Sequence, residues 1–266
     1  MTNGGAGGTD STVPPAPTPF RTPVAPRLDH VTSMRLAAAE YDRFLELLRN
    51  LDAADWSRET CCPGWDVRTM TGHVLGMARF AASPREQFRQ LRLARKAGGL
   101  FIDALTDLQV RETASLGTGD LIDALQSTAP RTVRSRRRLP APIRRLPLKD
   151  QPIDETGSQT ETWRMGYLTD VILTRDVWMH RSDIAAATGR PMHVTTDHDA
   201  VLVADAAQEW AARHDRPCHL ELTGPAGGTW TWGSASPSYE IDAVEFCRTI
   251  SGRQPGAGLL ATRVPF

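Results

Sequence analysis

Apolar residues recur at helical spacing through most of the first two thirds of the chain and alternate only near its end. Within 29–51, Tyr41, Phe44, Leu45, Leu48 and Leu51 keep a three-to-four-residue rhythm that predicts an amphipathic helix. Cys62-Pro63-Gly64-Trp65 reads as a turn. A second helix is predicted from about Asp66, with Val67, Met70, Val74 and Met77 on its buried face. Further helices are predicted over 86–108 and 120–128. A long one follows over 161–188, with Ile172, Leu173, Val177, Trp178 and Ile184 as its stripe and a stop at Gly189 before Pro191. Such helices, with a long crossover before the last, are compatible with a helical bundle.

After Pro191 the rhythm changes. Residues 199–214 read as a helix carrying Val201, Leu202, Ala207 and Trp210, whereas 219–223 and 229–233 alternate as strands around a Gly-Pro-Ala-Gly-Gly turn. Asp242 and Glu245 have the spacing of a capping pair before Phe246, Cys247 and Ile250, and 259–264 reads as a last strand. The expected organisation is therefore a tail over 1–28, a helical bundle over 29–190, and a small α+β domain over 191–266. The glycines at 224–228 lack the G-K-[ST] or G-x-G-x-x-G context of a phosphate loop, so a hairpin turn is the better reading.

Composition narrows the function. The chain has 266 residues, with 31 Lys and Arg against 31 Asp and Glu, so no global field points to nucleic acid or to an anionic membrane. Lys96 and Lys149 are the only lysines, a bias we read as provenance from a GC-rich genome. No apolar run approaches the ~20 residues of a membrane span. Residues 1–27 are rich in Gly, Pro, Thr and Ala and lack an apolar signal core, so a disordered tail and a cytoplasmic location are expected. The basic, proline-punctuated stretch 131–152 lacks interleaved aromatics for base stacking. It reads as an extended, solvated connection, with the rim of an anionic-ligand site as the other reading. Cys61 and Cys62 lack C-x-x-C spacing, and Cys218 and Cys247 are isolated. All four are expected to be reduced thiols, a reactive Cys61 or Cys62 being the alternative.

Candidate chemistry centres on His73 and on the segment Asp176-Val177-Trp178-Met179-His180-Arg181-Ser182-Asp183. Asp176 and His180, four residues apart, project from one helix face. His73, on a separate helix between Met70 and Met77, points inward. It is either a hydrogen-bonded core histidine or the third ligand of an open metal site, and only an open site leaves positions for water, a thiolate or a substrate oxygen.

Cys62-Pro63-Gly64-Trp65-Asp66-Val67-Arg68 with Gly72-His73-Val74, and Thr174-Arg175-Asp176-Val177-Trp178-Met179-His180-Arg181-Ser182-Asp183-Ile184-Ala185 with Ala187-Thr188-Gly189-Arg190-Pro191, resemble the mycothiol-dependent maleylpyruvate isomerase family of the DinB/YfiT-like metalloenzyme superfamily. The resemblance spans about 30–266. It implies a DinB-like four-helix bundle holding a divalent metal, zinc foremost, on residues that fall here at His73, Asp176 and His180. It also implies a C-terminal α+β domain similar to sterol carrier protein, closing a cleft in which mycothiol and a small-molecule substrate meet. Arg253, in Ser251-Gly252-Arg253, matches the family's Gly-Arg element and is the candidate for holding a carboxylate of substrate or thiol; His73 and Arg253 are the implied catalytic residues. Arg181 and Asp183 match the consensus as groups that orient His180 or tie helices together. The family's usual glutamate is replaced by Asp176, one methylene shorter. An actinobacterial thiol-dependent isomerase or S-transferase is the expectation. A metal-dependent hydrolase and a non-catalytic small-molecule or metal-binding protein are the alternatives.

Overall fold

The computed structural model describes residues 22–153 and 159–266. Helix α1 (His30–Arg49) starts where the Asp29 carboxylate accepts from the backbone N–H groups of Val31 and Thr32. After a short turn at Asp55–Ser57, Asp66 caps α2 (Val67–Ala82) through the N–H of Thr69. The helix expected over 86–108 is two, α3 (Pro84–Ala97) and α4 (Phe101–Thr113), because Gly98 and Gly99 take φ of 76° and 78° and break the rhythm between them. These two form a hairpin on the outside of α2. Close approach needs glycine there: a Cβ at Gly76 would lie 2.4 Å from Gln109 Cβ, so the helix that carries His73 is seated directly on α4.

Helix α5 (Thr118–Arg137) overturns the expectation of an extended connection from residue 131. It runs through Pro130, which lacks the N–H a helix interior uses. Tertiary bonds override that penalty. Leu121, Leu125 and Ala129 pack into the bundle, Thr132 Oγ1 donates to the Ala78 carbonyl at 2.7 Å, and buried Arg136 donates to the Thr169 carbonyl at 2.6 Å. A helical turn α6 (Ala141–Arg144) leads to β1 (Pro147–Pro152), which pairs antiparallel with β2 (Thr160–Arg164). The first turns of the helix expected over 161–188 are thus strand: Glu161 and Trp163 alternate inward, and the Trp163 indole donates to Glu161 at 2.7 Å. The expected tail lies outside the described residues up to residue 21, but Val24 is buried and bridges to Trp163. Helix α7 (Met165–Tyr167) and a wide π turn (Leu168–Ile172) then lead into α8 (Leu173–Thr188), which ends at left-handed Gly189.

Helices α1, α2, α5 and α8 share one core built on Phe44, Leu48, Met70, Val74, Leu125, Val177 and Ile184. A second core joins α9 (Asp199–His214), a three-stranded sheet and α10 (Ala243–Ser251), with Trp210, Leu220 and Phe246 at its centre. The sheet order is β4-β3-β5: β3 (Cys218–Thr223) pairs antiparallel with β4 (Gly228–Trp232) and parallel with β5 (Ser238–Asp242). The sequence reading missed β5 and expected a strand over 259–264, where the chain forms a 3-10 turn (Gly258–Ala261) and runs on past α10. Trp178 and Met179 of α8 belong to the second core, so this helix is a shared wall between the two. Among the described residues no helix is long and apolar enough to cross a membrane.

Burial on both sides makes the charges of α8 consequential. Arg175 is bound by Asp205 (2.7 Å) and Glu209 (2.8 Å) of α9. Arg181 is bound by Glu40 of α1 (2.7 Å) and by Asp199, and His198 Nε2 donates to Glu40 at 2.7 Å. Breaking a buried pair strands its partner at a cost of about 3–5 kcal/mol. Arg181→Ala is therefore expected to lower the melting temperature by roughly 10 °C. An unchanged melting curve would show that this network does not support the fold.

Candidate metal centre

From Val171 to Ala185 every residue is buried except Asp176, so that stretch meets solvent at one position. The Asp176 side chain is 19% exposed, and its Oδ1 lies 3.4 Å from His180 Nε2 and 3.8 Å from His73 Nε2. The first distance follows from i,i+4 spacing on α8. The second depends on how α2 packs against α8. Ligand atoms of the three residues all lie within 4.8 Å of one another. The two rings stand edge to face, centroids 5.3 Å apart and 88° between planes. The structure thus brings His73 to Asp176 and His180 instead of leaving it an isolated core histidine.

The two separations from Asp176 can be compared with those around a small cation. Two donors each about 2.0–2.1 Å from a tetrahedral zinc ion lie roughly 3.3 Å apart, and the separations here are 3.4 and 3.8 Å. Buried Asp176 Oδ2 and His73 Nδ1 have no hydrogen-bond partner among the described residues. Burial alone would raise the Asp176 carboxyl pKa, yet His180 and His73 hold it well below the usual carboxylate range. Burial likewise works against a charged His180, but Asp176 and Asp183 overcome it and push its pKa up to about 9. One proton on His180 therefore balances part of the negative charge when nothing else does.

Behind His180 stands Asp183, whose Oδ2 lies 3.3 Å from His180 Nδ1. When His180 gives up its extra proton, keeping the other on Nδ1 beside that carboxylate frees the Nε2 lone pair on the side of Asp176. Asp183 is itself clamped. Arg253 Nε lies 2.9 and 2.8 Å from its two oxygens, Arg248 reaches Oδ1 at 3.0 Å, and the Cys61 thiol donates to Oδ1 at 3.0 Å. Despite burial, His180 and Arg253 keep the Asp183 carboxyl far below its ordinary range. Arg253 thus touches the triad through Asp183 rather than directly. Arg248, in α10, was not singled out from the sequence; an arginine in an amphipathic helix gives no signal of its own.

Trp65 supplies a wall. Its ring centroid is 5.1 Å from that of His73 and 6.3 Å from that of His180. The turn that positions it closes with the Trp65 N–H on the Cys62 carbonyl, and Cys61 and Cys62 ride on the same loop. All four cysteines are free thiols: Cys61 is exposed, Cys62 half-buried, and Cys218 and Cys247 buried. A hydrogen bond from Cys62 draws the Cys61 pKa down and pushes that of Cys62 up.

The chain has counterparts among known proteins. The family model of the mycothiol maleylpyruvate isomerase N-terminal domain matches residues 37–185. An uncharacterized protein of Mycobacterium tuberculosis, found in two strains, is 26% identical over 235 residues, spanning 81% of this chain and 83% of its own. The crystal structure of the mycothiol-dependent maleylpyruvate isomerase superposes with a TM-score of 0.52 at 16% identity, over 85% of this chain and 90% of that one. A histidine-to-alanine mutant of that enzyme gives 0.53 over the same shares. At such identity the likeness is one of fold: a helical N-terminal region with small sheets attached. The extent of the profile match, from within α1 to within α8 and so across all three triad residues, makes this chain a member of the mycothiol maleylpyruvate isomerase family.

Proposed function

We propose that this chain is a mycothiol-dependent enzyme in which His73, Asp176 and His180 hold a divalent cation, zinc foremost. The observation that carries the reading is Asp176, the single partly exposed position on an otherwise buried stretch of helix, with two imidazoles converging on it. Two neutral nitrogens and one carboxylate oxygen are a donor set suited to zinc, and three protein ligands leave room for an exogenous one. The shorter side chain of Asp176 still reaches both rings, which is consistent with a working site. A cation bound there supplies Lewis acidity that favours the thiolate form of a thiol beside it.

The chain's own groups give the rest of the chemistry. Asp183 fixes the tautomer of His180 and shares its charge with Arg248 and Arg253. Trp65 shields the histidines from bulk water. Arg253, the candidate catalytic arginine, supplies positive charge near an arriving carboxylate or thiolate. A thiolate adds to the electrophilic carbon of a conjugated substrate, and the bond between the former alkene carbons becomes free to rotate. Eliminating the thiolate restores the double bond in the trans form with no net change in atoms; returning the proton that the thiol gave up to the enolate carbon retains the adduct and gives the S-conjugate instead. We read residues 29–190 as the metal-binding unit. Residues 191–266 are read as a sterol-carrier-protein-like unit closing over it, because α10 and Arg253 are what reach Asp183.

Purified protein should hold about one zinc per chain. His73→Ala, Asp176→Ala and His180→Ala should each lower occupancy at least tenfold while the melting curve persists, as elemental analysis reads; full metal in all three variants defeats the assignment. Turnover of a maleylpyruvate-type electrophile should require both mycothiol and metal. Thiol-independent turnover of an ester or amide would identify a hydrolase instead. Asp183→Asn should weaken zinc by about 10–100-fold in a chelator competition, because His180 loses the group that orients it. Undiminished affinity would show that Asp183 does not tune the site.

A further inference from the structure

The basic run of the sequence acquires a partner surface in the fold. Arg131 and Arg134 on the last two turns of α5 and Arg138 at its C-cap lie exposed, at spacings that share one helix face, whereas Arg136 turns inward. Across from them α3 presents Arg85, Phe88, Arg89 and Arg92, again at i, i+3, i+4 and i+7. Between the two helices, with Arg79 and Ala82 of α2 at the base, is an open cleft of about 820 Å³. A second hollow of about 440 Å³ continues from it, sharing Ala82 and Arg131 and adding Arg134 and Arg138. No residue lining either belongs to the His73–Asp176–His180 centre.

The charges in this cleft do not cancel. Its two carboxylates, Glu86 and Glu112, are both engaged by Arg89, at 2.5 and 2.8 Å and at 2.6 and 2.7 Å. The guanidinium groups of Arg79, Arg85, Arg92, Arg131, Arg134 and Arg138 make no hydrogen bond and no ion pair within 4.0 Å among the described residues. In a chain of formal net charge zero, six unpaired guanidinium groups along one channel are a local excess that repels itself. Guanidinium forks match phosphate oxygens two at a time, and the cleft is of the size that takes a small organic ligand. Phe88, 70% exposed, adds an open aromatic ring to the arginine row. The aromatic missing from the basic segment in sequence is thus delivered by another helix.

We propose that the α3–α5 cleft is a binding site for a nucleoside polyphosphate, with the phosphates on Arg85, Arg92 and Arg131 and the base stacked on Phe88. This site is separate from the candidate metal centre and does not rest on the reaction proposed for it. Titration calorimetry on the full chain at 0.15 M salt, with adenosine triphosphate and with inorganic triphosphate, tests it. Both should bind saturably, the nucleotide more tightly. Arg92→Ala and Arg131→Ala should each weaken both ligands about tenfold, and raising the salt should weaken both further. Phe88→Ala should weaken the nucleotide about tenfold and leave inorganic triphosphate unchanged. These side chains are exposed, so the melting curves should match that of the parent. Absence of saturable binding at millimolar ligand would overturn the proposal. So would parental affinity in the Arg92→Glu, Arg131→Glu double variant. Equal affinity for the two ligands together with a silent Phe88→Ala would remove the nucleoside. Retention on phosphatidylglycerol vesicles without binding of either soluble ligand would make the cleft a lipid surface instead.

Discussion

The structure depends on a helix buried on both sides that nevertheless carries Arg175, Asp176, His180, Arg181 and Asp183. An isolated charge in such a place costs several kcal/mol, so each must be matched by a partner fixed elsewhere in the chain. Arg175 is matched from α9, Arg181 from α1 and the start of α9, and Asp183 from α10 and the segment after it. These pairs fix the mutual positions of the bundle and the C-terminal sheet, because guanidinium–carboxylate geometry tolerates little sliding. Arg213 extends the pattern outward, linking Glu209 to Glu161 of β2 and so tying the β1–β2 hairpin to the same network.

Asp176 differs from its neighbours on the helix. Among the described residues it pairs with no arginine; its countercharge comes from the His180 imidazole, which can give up a proton, and its second oxygen has no hydrogen-bond partner. A carboxylate compensated by dissociable protons is one whose partner can be exchanged for a cation, whereas Arg175 and Arg181 hold theirs permanently. The same helix therefore carries both the permanently paired scaffold charges and the one matched by a titratable ring. Rigid neighbours on either side keep that position in place.

Much of this was readable from the residues. The helical rhythm of α1, α2 and α9, the end of α8 at Gly189 and the Asp242 cap are local signals, and they appear where expected. The misreadings also have physical causes. Gly98-Gly99 interrupted a continuous apolar period, while Pro130 failed to end a helix because Thr132 and Arg136 anchor the turns beyond it. Residues 160–164 form a strand because the chain before them offers an edge to pair with, which no window on those residues reveals. Arg248 was invisible as a contributor to the centre, since nothing in its neighbourhood distinguishes it from a surface arginine.

What the sequence by itself determined was the local half of the site. Four residues on an α-helix bring Asp176 and His180 to one face whatever surrounds them, because 3.6 residues per turn is a property of the backbone. Whether His73 joins them, whether Asp183 is neutralised, and whether Phe88 stands beside the arginines of α5 depend on helices packing across distances of tens of residues. Those outcomes were decided by burial and charge pairing in the tertiary structure, which only the folded chain can balance.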